Sequence, residues 1–144
     1  MPENIRPMAM VRLAVILLIL TIFTLAAFDK WLEWSAPEWF IDQFKDTWMG
    51  AFPQTPMFLS IALLETLVAI GAFVSLVKLE WLRPPGTMLL WTLVGVLFVF
   101  VMLGFGARVS SQFSDAATHF AYFAGTLIMF YVIYQDDRDQ VRSP

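Results

Sequence analysis

The chain contains no cysteine. Disulfides, a thiolate nucleophile, iron–sulfur ligation and a lipidated cysteine are therefore excluded. Histidine occurs once, as His119, which excludes bis-histidine haem and a histidine-rich zinc site within one chain. No metal site is expected. Charge is scarce: Asp, Glu, Lys and Arg make up 15% of the residues, against about 25% in an average soluble domain. The net charge of −3 leaves no basic field to attract nucleic acid. No nucleotide-binding glycine loop, HExxH or GxSxG occurs, so there is no kinase or hydrolase signature to weigh.

What is present is apolar. Hydrophobic residues make up 59% of the 144, and the mean hydropathy is +0.70. A soluble chain this short leaves much of its surface exposed and could not bury so much apolar side chain. The expected solvent is lipid. Four segments reach the roughly 20 apolar residues that a membrane helix needs. They run from about Met8 to Lys30, Pro56 to Val77, Pro84 to Ala107 and Asp115 to Gln135. In the first, Arg12 and Lys30 are expected to snorkel outward from the charge-free part. A signal peptide is the alternative for that segment, but Leu25 stands where cleavage needs a small residue. The expected fold is all-α: one membrane domain, a transmembrane four-helix bundle with left-handed packing.

Charge asymmetry orients it. Arg6, Arg12, Lys78, Arg83, Arg138 and Arg142 fall on one side, and Lys30, Lys45 and Arg108 on the other. The positive-inside rule then puts both termini in the cytoplasm. The long first loop, 31–55, lies outside. There Ser35, Pro37 and Glu38 form the pattern of a capping box. Phe40, Phe44 and Trp48 recur every four residues, so an interfacial amphipathic helix is expected, anchored by tryptophans. It is either a plain anchor or a lid. Thr55 is expected to cap the second span at Pro56. Pro84–Gly86 reads as a tight turn, and 136–144 as a solvated cytoplasmic tail.

The ionisable residues converge. Asp29, Lys30, Arg108, Asp115 and His119 all fall at the outer ends of their spans. Glu65 lies about 13 Å into its helix at 1.5 Å per residue. An ionised carboxylate at that depth needs a proton or a cation, and Lys30 and Arg108 are both within plausible reach. The pair either fixes helix register or lines a site. Asp115, His119, Tyr122 and Thr126 form one polar stripe on the fourth span, expected to face the bundle or a cavity. Asp29 and Asp115 are potential charge partners, Asp115 being one turn from His119. Ala117, Ala121 and Gly125 form a small-residue stripe suited to helix packing. Dense aromatics on the last two spans either face lipid or sandwich a flat ring such as a quinone.

Four spans, FDK closing the first, a long outer loop, an acid within ALLETLVAIGAF and a Pro-Gly turn together resemble the DoxX-like membrane proteins. The likeness runs from about Ile16 to Tyr134. Ala26 and Ala27 stand where the family favours glycine before the lysine, and Thr66 follows Glu65 in place of a glycine. The resemblance implies a bacterial cytoplasmic-membrane subunit of a quinone-linked redox complex, in which Lys30 and Glu65 matter. Lys30, Glu65, Arg108, His119 and Tyr122 are then ligand-binding or proton-handling candidates. A bound quinone would be the one cofactor. The electrons must come from membrane or periplasmic partner subunits, so an accessory role is expected rather than an enzyme acting alone. The alternatives are an assembly subunit that docks through Ala117, Ala121 and Gly125, and a small oligomeric transporter with Glu65 in its path.

Overall fold

A computed structural model describes residues 7–142; Arg6 lies outside them. The elements are α1 (Pro7–Glu33), α2 (Glu38–Phe44), a 3-10 turn (Trp48–Ala51), α3 (Gln54–Val77), α4 (Thr87–Val109) and α5 (Phe113–Arg142). Helices α1, α3, α4 and α5 are each long and apolar enough to cross a membrane. The chain is thus a multi-pass membrane protein built as a four-helix bundle. The packing order is α1 on α3, α3 on α4, and α4 on α5. The loop holding α2 lies at one end, called here the α2 end. The start of α1, the α3–α4 turn and the end of α5 lie at the other, the termini end.

The helices meet along seams that repeat every seven residues. In α1 the buried Ala9, Ile16 and Phe23 are seven apart, and Lys30 is the next step. In α3 the series is Phe58, Glu65, Ala72, with Val68 and Ser75 beside it. A spacing of 3.5 residues keeps one edge of each helix against its neighbour at a shallow crossing angle. Ile16, Ile19, Val68, Leu93, Val96 and Val99 fill the middle of the bundle. Gly71 lets α3 and α4 approach closely, because a Cβ there would collide with the Thr92 side chain.

Helix α5 departs from expectation. Its seam runs through Thr126, Ile133 and Asp137, with Phe130 partly buried beside them. Ala117 and Ala121 are exposed, and a Cβ on Gly125 would meet nothing within 4 Å. The small-residue stripe is therefore not the surface on which α5 packs within the chain. Bulky residues at the 3.5 spacing fill the contact instead. Only 11% of the apolar window of α5 is buried, against 33% in α1, so most of α5 is left uncovered by the rest of the chain.

Other boundaries shift for tertiary reasons. Helix α4 begins at Thr87, and Pro84–Gly86 stays in the turn. The segment after Gln135 is not a solvated tail: α5 continues to Arg142, and Asp137 is buried. Ser35 caps nothing; its hydroxyl donates to the Glu33 carbonyl, and α2 starts after Pro37 without a side-chain cap. The Thr55 hydroxyl does not cap α3 either. It accepts from the Ala36 amide at 3.2 Å, closing the loop on itself. Trp48 leaves the face of Phe40 and Phe44, because α2 ends at Phe44; its ring lies exposed near Phe105.

The α3–α4 turn holds a cap the sequence reading missed. Leu79 takes a left-handed φ of 57°, while Glu80 N donates to Ser75 O and Leu79 N to Leu76 O, a Schellman ending. The reversal points Glu80 at the start of α4. Its carboxylate accepts from the amides of Met88 (3.1 Å) and Leu89 (2.8 Å) and from the Ser75 hydroxyl (3.0 Å). Replacing Glu80 with Ala removes three accepted bonds and a charge at the positive helix end. It is expected to cost about 1–2 kcal/mol, read as a lower unfolding midpoint by circular dichroism. An unchanged midpoint would refute the cap.

Candidate functional site

Two polar clusters sit at opposite ends of the bundle. At the termini end Arg12 is buried, not snorkelled. Its guanidinium donates to Asp136 at 3.1 and 2.5 Å and to Asp137 at 2.6 Å. Asp137 also accepts from the Gly86 amide at 3.0 Å. The fork of arginine suits two carboxylates at once. This clasp joins the first long helix to the last. The seam Ala9, Arg12, Ile16, Ile19, Phe23 was the readable signal, since an inward-facing arginine needs an anion.

At the α2 end the cation for Glu65 is Lys30. The ammonium lies 3.0 Å from Oε1 and 2.9 Å from Oε2, and 3.4 Å from the Ala26 carbonyl. Directly beside it, Trp31 Nε1 donates to Thr66 Oγ1 at 2.8 Å. Two consecutive residues of α1 thus bond two consecutive residues of α3. The residue after Glu65 has a use as a hydroxyl: Thr66 accepts from Trp31 and donates to Ala62 O. Arg108 does not reach the acid. It belongs to α4, and its guanidinium lies over the Phe113 ring, 4.5 Å from the centroid.

Beside Lys30 lies a cavity of about 390 Å³, within the range of small-molecule sites. Every long helix contributes: Lys30 from α1, Phe58 and Ile61 from α3, Leu103 and Gly106 from α4, Asp115 and His119 from α5. Helix α2 covers it with Trp39, Phe40, Gln43 and Phe44. The cover is latched. Gln43 Nε2 donates to Ser110 Oγ at 3.1 Å, the Phe40 and Phe58 rings meet edge-on at 5.2 Å, and Gly106 leaves room for the Phe44 ring. Helix α2 therefore forms one wall of the cavity.

The sequence candidates divide. Lys30, Asp115 and His119 line the cavity, and Glu65 stands behind Lys30. Tyr122 does not line it; the ring is exposed and leans on Phe100 at 5.5 Å. The stripe therefore twists, with Thr126 buried and Tyr122 outward, because the seam of α5 runs through the former. Asp29 is exposed. Among the described residues neither Asp29 nor Asp115 forms an ion pair. Asp115 therefore does not satisfy His119, whose Nδ1 is buried without a partner. Phe98, Phe105, Phe120 and Tyr131 are exposed, Phe105 and Phe120 along an apolar groove between α4 and α5; the aromatic walls of the cavity come from α2 and α3 instead. Among the described residues no three His, Asp or Glu side chains converge. No protein-family model, curated protein or solved structure matches the chain.

Proposed function

We propose that this chain is a DoxX-like accessory subunit of a quinone-linked redox complex. It would lie in the bacterial cytoplasmic membrane with both termini in the cytoplasm. Its α2 end faces the periplasm, and a quinone headgroup sits in the cavity beneath α2. The observation that carries the reading is a cavity lined together by Lys30, by His119 and by the rings of Phe40, Phe44 and Phe58. An ammonium has three N–H donors, and Glu65 and the Ala26 carbonyl engage two of them; the third is free for a ligand carbonyl. The imidazole of His119, which also lines the cavity, is the second polar group. Apolar and aromatic walls with a few polar groups are what a flat, weakly polar ring requires. The chain holds the ligand, and partner subunits supply the electrons.

A transport path through a single copy lacks support. From Glu65 to Ser75 is ten residues, about 15 Å of helix, and the core between them is Val68, Ala72, Leu93 and Val96. An ion crossing one copy would meet that apolar layer.

The test is fluorescence quenching by decylubiquinone in lipid nanodiscs. Saturable quenching is expected, most of it lost in Trp39→Phe, because Trp39 lines the cavity. His119→Leu is expected to weaken binding about tenfold, the worth of one polar contact to a buried acceptor. Quenching that never saturates, or that neither variant changes, would overturn the reading.

A further inference from the structure

A net charge of −3 describes a protein that anionic surfaces should repel. The fold sorts that charge by place. At the α2 end Asp29, Glu33, Glu38, Asp42, Asp46 and Asp115 are exposed, against Lys45 and Arg108. At the termini end the carboxylates turn inward. Asp136 and Asp137 hold Arg12, and Glu80 caps α4. The cations there turn outward: Lys78, Arg83 and Arg142 are exposed, and Arg138 is half-buried. Among the described residues none of these four forms an ion pair. Asp139 is the exposed carboxylate beside them.

The four cations belong to one surface. The Gly86 amide donates to Asp137 at 3.0 Å, which holds the turn carrying Lys78 and Arg83 against the end of α5 carrying Arg138 and Arg142. The surface stands at the level of lipid headgroups. Lys78 follows directly on the apolar run of α3. The Arg138 guanidinium reaches back over the Tyr134 ring, 5.8 Å from its centroid. Leu79 and Leu82, between Lys78 and Arg83, are exposed. Trp91, Tyr131 and Tyr134 are exposed about one to two turns further along their helices, toward the α2 end. Bases among exposed leucines, next to a belt of aromatic rings, are the composition of a membrane boundary.

We infer that the termini-end surface selects anionic phospholipids, whose phosphates meet Lys78, Arg83, Arg138 and Arg142. Each base held near an anionic headgroup is favourable, and the effect grows with the number of bases. Arginine takes a phosphate by two bonds, lysine as a point charge. The exposed leucines favour lipid over an acidic soluble protein, because acyl chains cover Leu79 and Leu82 in the same contact. The inference depends neither on the quinone reading nor on which side of the membrane the termini face. It gives the Arg12 clasp a second effect. By holding Asp136 and Asp137 inward, the clasp keeps them from neutralising Arg138 and its neighbours.

The test is the lipid selectivity of the full chain in phosphatidylcholine vesicles, read by electron paramagnetic resonance of trace spin-labelled lipids. The motionally restricted fraction of labelled phosphatidylglycerol is compared with that of labelled phosphatidylcholine. The wild type is expected to favour phosphatidylglycerol at least about threefold, and about 1 M sodium chloride to remove most of that preference. Lys78→Gln with Arg83→Gln, and Arg138→Gln with Arg142→Gln, are each expected to lower the preference by about half or more. Lys45→Gln with Arg108→Gln removes as much charge from the α2 end and is expected to leave the preference within about 1.2-fold of wild type. None of these six side chains belongs to the buried core, so the helices are retained, as circular dichroism checks. Equal restriction of the two lipids by the wild type overturns the inference. So does a preference that survives in both termini-end pairs. An equal loss in the α2-end pair overturns it too, since net charge alone would then set the preference.

Discussion

Arg12→Leu is expected to be the most damaging single substitution in the bundle, at about 3–5 kcal/mol. The side chain of Arg12 is 1% exposed, and those of Asp136 and Asp137 are 18% and 7% exposed. Removing the guanidinium leaves two carboxylates close together and largely dry, with Glu80 of the α3–α4 turn nearby. Asp137 keeps the Gly86 amide, but one neutral donor does not offset a buried charge. Arg12→Lys should fall between the two, because a single ammonium does not reproduce a fork that reaches two acids. The measurement is the SDS-unfolding midpoint in mixed micelles, followed by circular dichroism. Arg12→Leu with Asp137→Asn should recover part of the loss, since it removes the charge left stranded. A change below about 1 kcal/mol for Arg12→Leu would mean that the clasp is solvated and contributes little.

The second large effect concerns Lys30 and Glu65. Glu65→Leu strands an ammonium and Lys30→Met strands a carboxylate, each expected to cost about 2–4 kcal/mol. The lower part of that range suits Glu65→Leu, because the Lys30 side chain is 20% exposed and can partly snorkel to water. Glu65 has no such escape, with its side chain 3% exposed. Lys30→Met with Glu65→Leu should come back to within about 1 kcal/mol of wild type, since an apolar pair of similar volume needs no desolvation. If the double variant is as unstable as the sum of the singles, the two residues are not coupled. A near-neutral double variant that also loses quinone quenching would separate the pair's two roles: its stability is replaceable, its polarity toward the cavity is not.

Much of this was legible in the chain. Four long apolar segments, interrupted at few points, fix four long helices within a few residues of where they lie. That Glu65 needs a cation followed from its depth alone. Which cation it takes did not, because Lys30 and Arg108 are both cationic and both end a span. The choice is made by packing order, α1 against α3, and only the seven-residue spacing of Ala9, Ile16, Phe23 and Lys30 carries a trace of it. The same spacing would have turned Arg12 inward. Local capping patterns misled at Ser35 and Thr55, where the hydroxyls serve loop contacts that no short window contains. Glu80 and Asp137 were unreadable for a similar reason. Each sits beside other charges at the end of an apolar run, where a solvated side chain and a buried cap look alike until the partner helix is known.

The clasp at Arg12 has a consequence for how the chain is made. Lys30 and Glu65 are 35 residues apart, and Arg12 is separated from Asp136 and Asp137 by 124 and 125. During synthesis the first pair can form as soon as α3 follows α1 into the membrane. Arg12 must wait for α5. Through that interval an arginine on the inward seam of the first helix has no anion and must stay at the water boundary. The bundle therefore cannot draw α1 to its final depth until its last helix has arrived, and one ion cluster ties the beginning of assembly to its end.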